Sequence, residues 1–471
     1  MLLDLFGFFV LVSAGVAWGD ARAGLRLAIL AGLLQDPVRK LTPGTPPILA
    51  ISALPIVAAS ILGLLSRDRR LVQRLAQAHP ALAGSLRVFA LSLAPALLVL
   101  LVSYGPAAWS AALLGLFGYL TPLMAMVWGF NFVRQADDLR RLLVFYCVAT
   151  GLALTGAVLE FMRVLPDWPA LGTAALGAPW IRFTPSGLVI RLISGFFRSP
   201  DVMGWHAATL LMAALTLALA RDRPRARAFL LLAAWAAFCV LICGRRKAIV
   251  MPALWAAVAL VHFLRTRRLG RALAVVAAVA AVLGGLAFAS GEAAIGPEYY
   301  SYAASIASDA PRRLQEGTFG AVWWTLVQSG ALGAGIGSAS QGMQHLGGGV
   351  AQGWQESGVS KLVAELGLLG LLCGLLAGVQ LVRAGLRALR LSPTGSREHY
   401  LVVGLLGMAV ANATSFVVSH QVYGDLLVMT LSAFLVGVLL SAPRWCLAPT
   451  PGPGVGARRP LAAVRRPVEA S

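Results

Sequence analysis

The stretch WWTLVQSGALGAGIGSASQGMQHLGGGVAQGWQESGVSKLVAELGLLG, residues 323–370, decides how the chain is read. Its first part is rich in Gly and Ser. Irregular backbone of that kind leaves polar groups unpaired in hydrocarbon, so it must sit in water or inside protein. Its last part opens an apolar run, 359–382, long enough to cross a bilayer, with Glu356, Lys361 and Glu365 at its mouth. Ionisable side chains therefore stand where a loop meets the membrane, a place suited to a substrate whose head is in water and whose tail is in lipid.

The composition around this stretch fixes the class. Of 471 residues, 58% are hydrophobic and only 12% charged, and the mean hydropathy is +0.78, far too apolar for a soluble protein of this length. An all-α, polytopic membrane protein is expected. The formal net charge of +20 falls in short clusters between apolar runs rather than on one surface, which argues against nucleic acid as a partner and marks the clusters as topology signals. The five cysteines are scattered singly and read as small apolar fillers. Residues 1–19 are apolar, but Asp4 stands where a cleaved signal would be basic, so a retained first helix is expected.

After that helix comes a segment with Pro37, Pro43, Pro46 and Pro47, in which only 25–34 is expected to be helical, as a half-span or interfacial helix. Further spans are expected at 48–65, 88–104, 107–130, 142–161, 203–220, 229–243, 248–264, 272–289, 359–382, 400–418 and 426–441, about twelve with the first. Arginines gather at alternate connections, around Arg67 to Arg74, Arg134 to Arg141, Arg221 to Arg227, Arg265 to Arg271 and Arg383 to Arg397. The positive-inside rule makes that side cytoplasmic. The helical membrane domain thus covers 1–441, with two long outward loops, 163–202 and 290–357, packed over the bundle as a cover, and 442–471 a disordered cytoplasmic tail.

Cations on the outward side break the topology rule and need a reason. Arg191 lies in VIRLISGFFRSPDVMGWHA, Arg245, Arg246 and Lys247 form the tight turn CGRRKA, and Arg312 and Arg313 lie in the second loop. Snorkelling to lipid phosphates explains a single outward Arg. A set of them on separate loops suits bidentate binding of a pyrophosphate carried by a lipid. Glu356, outside the membrane just before a span, is the best candidate for a general base, where partial burial would raise its proton affinity; a capping acid at a helix N-terminus is the structural alternative. Glu365 reads as an i, i+4 partner of Lys361. Arg198, His206 and His420 complete the candidates. No Walker loop, HExxH, GxSxG or Asp-x-Asp occurs, so ATP-driven transport, zinc proteolysis, hydrolase and nucleotide-sugar chemistry find no support.

Four stretches in order carry a resemblance: RLISGFFRSP (191–200), the basic turn GRRKA, GAGIGS (333–338) and ESGVSKLVAELGLLG (356–370). With them the chain resembles the O-antigen ligase and polymerase superfamily of bacterial inner-membrane glycosyltransferases. Ligases of that family commonly carry His-Asn where this chain has Glu356-Ser357, which points to polymerase-like or exopolysaccharide-type relatives. The resemblance implies a GT-C-like fold in the inner (cytoplasmic) membrane. It further implies that Arg191, Arg245 or Arg246, and Arg312 bind the pyrophosphate of an undecaprenyl-linked glycan donor, that Glu356 activates a glycan or lipid acceptor, and that no cofactor or metal is required. A transporter of lipid-linked saccharide is the rival from another class, and a non-catalytic assembly scaffold a third reading.

Overall fold

The computed structural model of the protein describes residues 1–165, 167–173, 176–177, 180–183, 189–220, 223–275, 277, 315, 320–340 and 355–446. Ten helices among them are long and apolar enough to span a membrane, so the chain is an all-α, multi-pass protein. The sole sheet among the described residues is a hairpin of β1 (Ile181–Phe183) and β2 (Val189–Arg191), antiparallel with Ile181 opposite Arg191. The expected span at 229–243 is present as a helix with a shorter apolar part, Ala226–Ile242. The expected span 272–289 falls almost wholly outside the described residues, as do Arg312, Arg313 and most of the second outward loop.

In chain order the first nine helices are α1 (Leu2–Gly19), α2 (Ala21–Leu41), α3 (Leu54–Arg67), α4 (Leu71–Ala78), α5 (Pro80–Leu91), α6 (Leu93–Tyr104), α7 (Trp109–Phe132), α8 (Ala136–Ala153) and α9 (Thr155–Phe161). Beyond the hairpin come α10 (Pro200–Leu219), α11 (Arg223–Ile242), α12 (Arg246–Arg265), α13 (Ala321–Ser329), α14 (Gly358–Leu391), α15 (Arg397–Val418) and α16 (Leu426–Cys446). Side-chain caps open several of them: Asp20 accepts the Arg22 amide, Ser199 that of Val202 ahead of Pro200, Ser357 those of Val359 and Ser360, and Ser396 that of His399. Because α16 runs to Cys446, the segment expected to be a disordered tail begins as helix, and its remainder lies outside the described residues.

The arginine-rich connections meet at one end of the bundle. Arg22 pairs with Asp138 at 3.0 Å and donates to the Phe132 carbonyl, Arg67 donates to the Trp18 carbonyl, Arg271 to that of Leu219, and Arg444 to that of Phe130. The positive-inside rule assigns that end to the cytoplasm. At its other end α2 places Lys40 against the carbonyls of Gly195 and Phe197, in the outward loop.

The expectation of a half-span at 25–34 is thus corrected: α2 is helical over Ala21–Leu41, through Pro37, and runs the depth of the bundle. Its polar residues are tolerated because α2 is enclosed by protein, with Gln35, Asp36 and Lys40 all buried. Cysteines placed singly at Asp20 and Gly44 are expected to react with an impermeant maleimide from opposite sides of oriented membranes; labelling of both from one side would show that α2 does not cross.

Two features position the outward site. First, α10 is buried along almost its whole length, packed against α8, α11, α12 and α15, so anything on its first turn is held rigidly. Elsewhere helices approach closely through small residues: a Cβ on Gly129 of α7 would collide with the Phe434 carbonyl of α16, and one on Gly437 with that of Met126.

Second, residues 330–340 enter the bundle rather than lying in water. The Ala334 amide donates to the Ala364 carbonyl at 2.7 Å, Ile336 to Ala96 at 3.2 Å, and Leu368 to Ala331 at 2.9 Å. Helix α14 is interrupted at Gly367 (φ 66, ψ −163), and the inserted loop supplies the hydrogen bonds that the interruption removes. Gly337, at φ +85, lies against the Ala111 carbonyl, where any side chain would clash.

Candidate functional site

The turn SGFFR is locked by charged side chains from α2 and α9 and by Asp425, just ahead of α16. Glu160, in the last turn of α9, accepts the amides of Ser194 at 3.1 Å and Gly195 at 2.6 Å. Lys40 of α2 donates to the carbonyls of Gly195 at 2.9 Å and Phe197 at 2.6 Å. The Arg198 amide donates to Asp36 at 2.9 Å, and its guanidinium pairs with Asp425 at 2.7 Å. Gly195 adopts φ +56 and passes so close to Ala157 that a Cβ would strike the backbone nitrogen. Burial works against the Arg198 charge, but the carboxylates of Asp425 and Asp36 outweigh it and hold the guanidinium above its ordinary proton affinity.

Arg191 ends β2 beside this turn, half-exposed, 3.5 Å from Glu160. The basic turn packs on the same strand: Gly244, at φ +62, abuts the side chains of Leu192 and Ile190. From there buried Arg245 reaches Asp201 at 2.7 Å and lies 4.8 Å over the ring of Trp180. Lys247 contacts the other oxygen of Asp201 at 2.7 Å and donates to Ser419 Oγ at 3.1 Å. Arg182 on β1 adds a further positive charge within electrostatic reach of Asp201. Among the described residues one carboxylate is thus surrounded by several cations, Arg245, Lys247 and Arg182, with Arg246 next in the chain.

The turn between α15 and α16 links this patch to Glu356. His420 follows Ser419, and both its amide and its Nδ1 lie on the Glu356 carbonyl oxygen, at 2.9 and 3.2 Å. The Glu356 side chain is exposed, so the partial burial expected of it is not observed. Ser357, not Glu356, caps α14. Two turns further on, Glu365 is fully buried and accepts the Tyr119 hydroxyl at 2.6 Å, the Ala339 amide at 3.1 Å and Ser340 Oγ at 3.0 Å. Lys361 stands 3.8 Å from Glu365, the i, i+4 pair read from the sequence, and Glu365 fastens the inserted loop to α14 and α7.

Of the sequence-predicted residues, Arg191, Arg245 and Arg246 share the hairpin and its packed turn, and His420 and Glu356 adjoin them through Ser419 and Lys247. Arg198 is built into the bundle by Asp36 and Asp425. His206 is a core histidine, its Nδ1 2.9 Å from the Tyr146 hydroxyl and its ring stacked on Phe197, away from the outward surface. Arg312 and Arg313 lie outside the described residues.

Sequence reading missed Asp36, Lys40, Glu160, Asp201 and Asp425. A usable signal existed, since ionisable residues in apolar surroundings are costly unless partnered. The apolar void bounded by Ile29, Tyr146, Ala213 and Phe434 lies within the helix core and not at this site. Compared with known proteins, the chain matches no family model and no curated sequence.

Proposed function

We propose that the protein is a membrane glycosyltransferase of the O-antigen ligase or polymerase kind, acting on the periplasmic side of a bacterial inner membrane with about twelve spans in a GT-C-like arrangement. Its donor is an undecaprenyl-pyrophosphate-linked glycan, and its acceptor a glycan or lipid hydroxyl. The observation that carries this reading is the gathering of Arg245, Lys247 and Arg182 around Asp201 among the described residues; the positive-inside rule would leave that end of the bundle facing away from the cytoplasm. A pyrophosphate beside a lipid, two linked phosphates each carrying a negative charge, is what such a patch attracts.

In the reaction, the acceptor oxygen attacks the anomeric carbon, and the bond from that carbon to the pyrophosphate oxygen breaks. Its electron pair leaves on the pyrophosphate, which Arg245, Arg246, Lys247 and Arg191 neutralise. The acceptor proton passes to the exposed carboxylate of Glu356, and the anomeric configuration inverts. Glu356→Gln is expected to lower glycan output about 100-fold or more in a deletion strain at matched membrane protein level, with donor accumulating. Normal output would end the reading.

The interruption of α14 beside buried Glu365 favours a second reading, a transporter of lipid-linked saccharide, since discontinuous helices line transport sites. Under that reading Glu356→Gln is silent, and donor accumulates on the cytoplasmic face only when the protein is removed.

A further inference from the structure

His420 carries chemistry that its hydrogen bonds leave unused. A carbonyl oxygen accepts and never donates, so the contact of His420 Nδ1 with the Glu356 carbonyl at 3.2 Å requires the proton on Nδ1. In the neutral ring the lone pair is then on Nε2. That atom is buried, and among the described residues nothing donates to it. Burial first, and then Lys361 with Lys247, hold the imidazole down to about 4, so the ring is neutral at pH 7. The two ammonium groups act on the ring from different elements, yet each is engaged elsewhere: Lys247 with Asp201 and Ser419, Lys361 with Ser340 and Glu365.

A buried acceptor without a donor is unfavourable, and a ligand hydroxyl that donates to it removes that penalty. Cations around it favour a hydroxyl that comes with negative charge nearby. The residue whose carbonyl fixes the ring also carries an exposed carboxylate.

Resting on the glycosyltransferase reading, we infer that His420 Nε2 is a subsite for the acceptor, taking a hydrogen bond from a sugar hydroxyl and holding the incoming ring beside the pyrophosphate patch, while Glu356 removes the proton from the attacking hydroxyl. The substrate class this names is a polyhydroxylated glycan acceptor, rather than a simple lipid alcohol with one hydroxyl. Nothing is transferred to His420, which binds and orients.

Two substitutions separate this role from a structural one. His420→Asn retains an N–H where Nδ1 stood and can still donate to the Glu356 carbonyl, but it has no atom at the Nε2 position. His420→Gln can place an amide oxygen there. At matched membrane protein level, His420→Asn is expected to reduce glycan output about tenfold or more, while His420→Gln stays within about threefold of the parent. Histidine 15N spectra of the full chain in nanodiscs, with His420 assigned from the His420→Asn difference, are expected to show the Nδ1–H tautomer. Normal output from His420→Asn, or an Nε2–H tautomer, would overturn the inference. If Glu356→Gln and Arg245→Ala are impaired while His420→Asn is normal, only this inference fails. If those two are normal, the glycosyltransferase reading fails with it.

Discussion

Arg245→Ala is expected to reduce glycan transfer by about 100-fold or more while leaving the protein folded, the range seen when one preorganised electrostatic partner of a developing charge is removed. The fold is expected to survive because Asp201 keeps Lys247 at 2.7 Å, so the buried carboxylate is not left bare. Catalysis is not expected to survive, because Arg245 is buried and held between Asp201 and the face of Trp180. Arg245→Lys should recover only part of the loss, since an ammonium retains the charge but not the planar fork or the stacking on the indole. The measurement is the rate at which undecaprenyl-pyrophosphate-linked glycan is consumed in membranes containing equal amounts of protein. Equal rates for the parent and the alanine variant would remove the pyrophosphate role from this turn.

Gly195→Ala is expected to have the largest effect on folding. A residue with a Cβ at φ +56 costs roughly 1 to 2 kcal/mol from backbone sterics alone. Here the Cβ would also meet the Ala157 nitrogen in α9, backbone that cannot rotate away. Relief requires the turn to lift, which breaks the hydrogen bonds to Glu160 and Lys40 and exposes two buried charges to the loss of their partners. Thermal unfolding of the purified variant should shift down by many degrees, or folded protein should be lost altogether. A midpoint within a degree or two of the parent would show that the turn is not fixed by these contacts.

How far the sequence reveals this molecule depends on what each residue type signals. Spanning helices announce themselves because hydrocarbon accepts little but apolar side chains, and among the described residues ten helices long and apolar enough to cross stand where apolar runs do. Helix α2 escaped because it carries Arg22, Arg26, Asp36, Arg39 and Lys40 along with Pro37, and a hydropathy window cannot tell a helix shielded by protein from a segment in water.

The same asymmetry governs the site. Arg191, Arg245 and Arg246 were legible because they stand on the side where arginine is rare. Their partners were not: Glu160 and Asp201 are single acids within or beside apolar runs, and only the folded chain shows that one anchors the SGFFR turn while the other gathers the basic turn. His206, adjacent to Trp205 at the start of a helix, has the sequence context of a surface histidine, but α10 is enclosed and turns it towards Tyr146 and Phe197.

The break at Gly367 bears on how the protein is assembled. The amide of Leu368 and the carbonyl of Ala364 find their partners on Ala331 and Ala334, residues made earlier in synthesis but belonging to another segment of chain. Until that segment wedges in, a bent α14 would expose bare peptide groups to lipid, so the nascent helix should enter the bilayer straight and bend only as the wedge seats. Maturation of this corner is therefore a late, concerted step, and Glu365, which pins the wedge, is its latch.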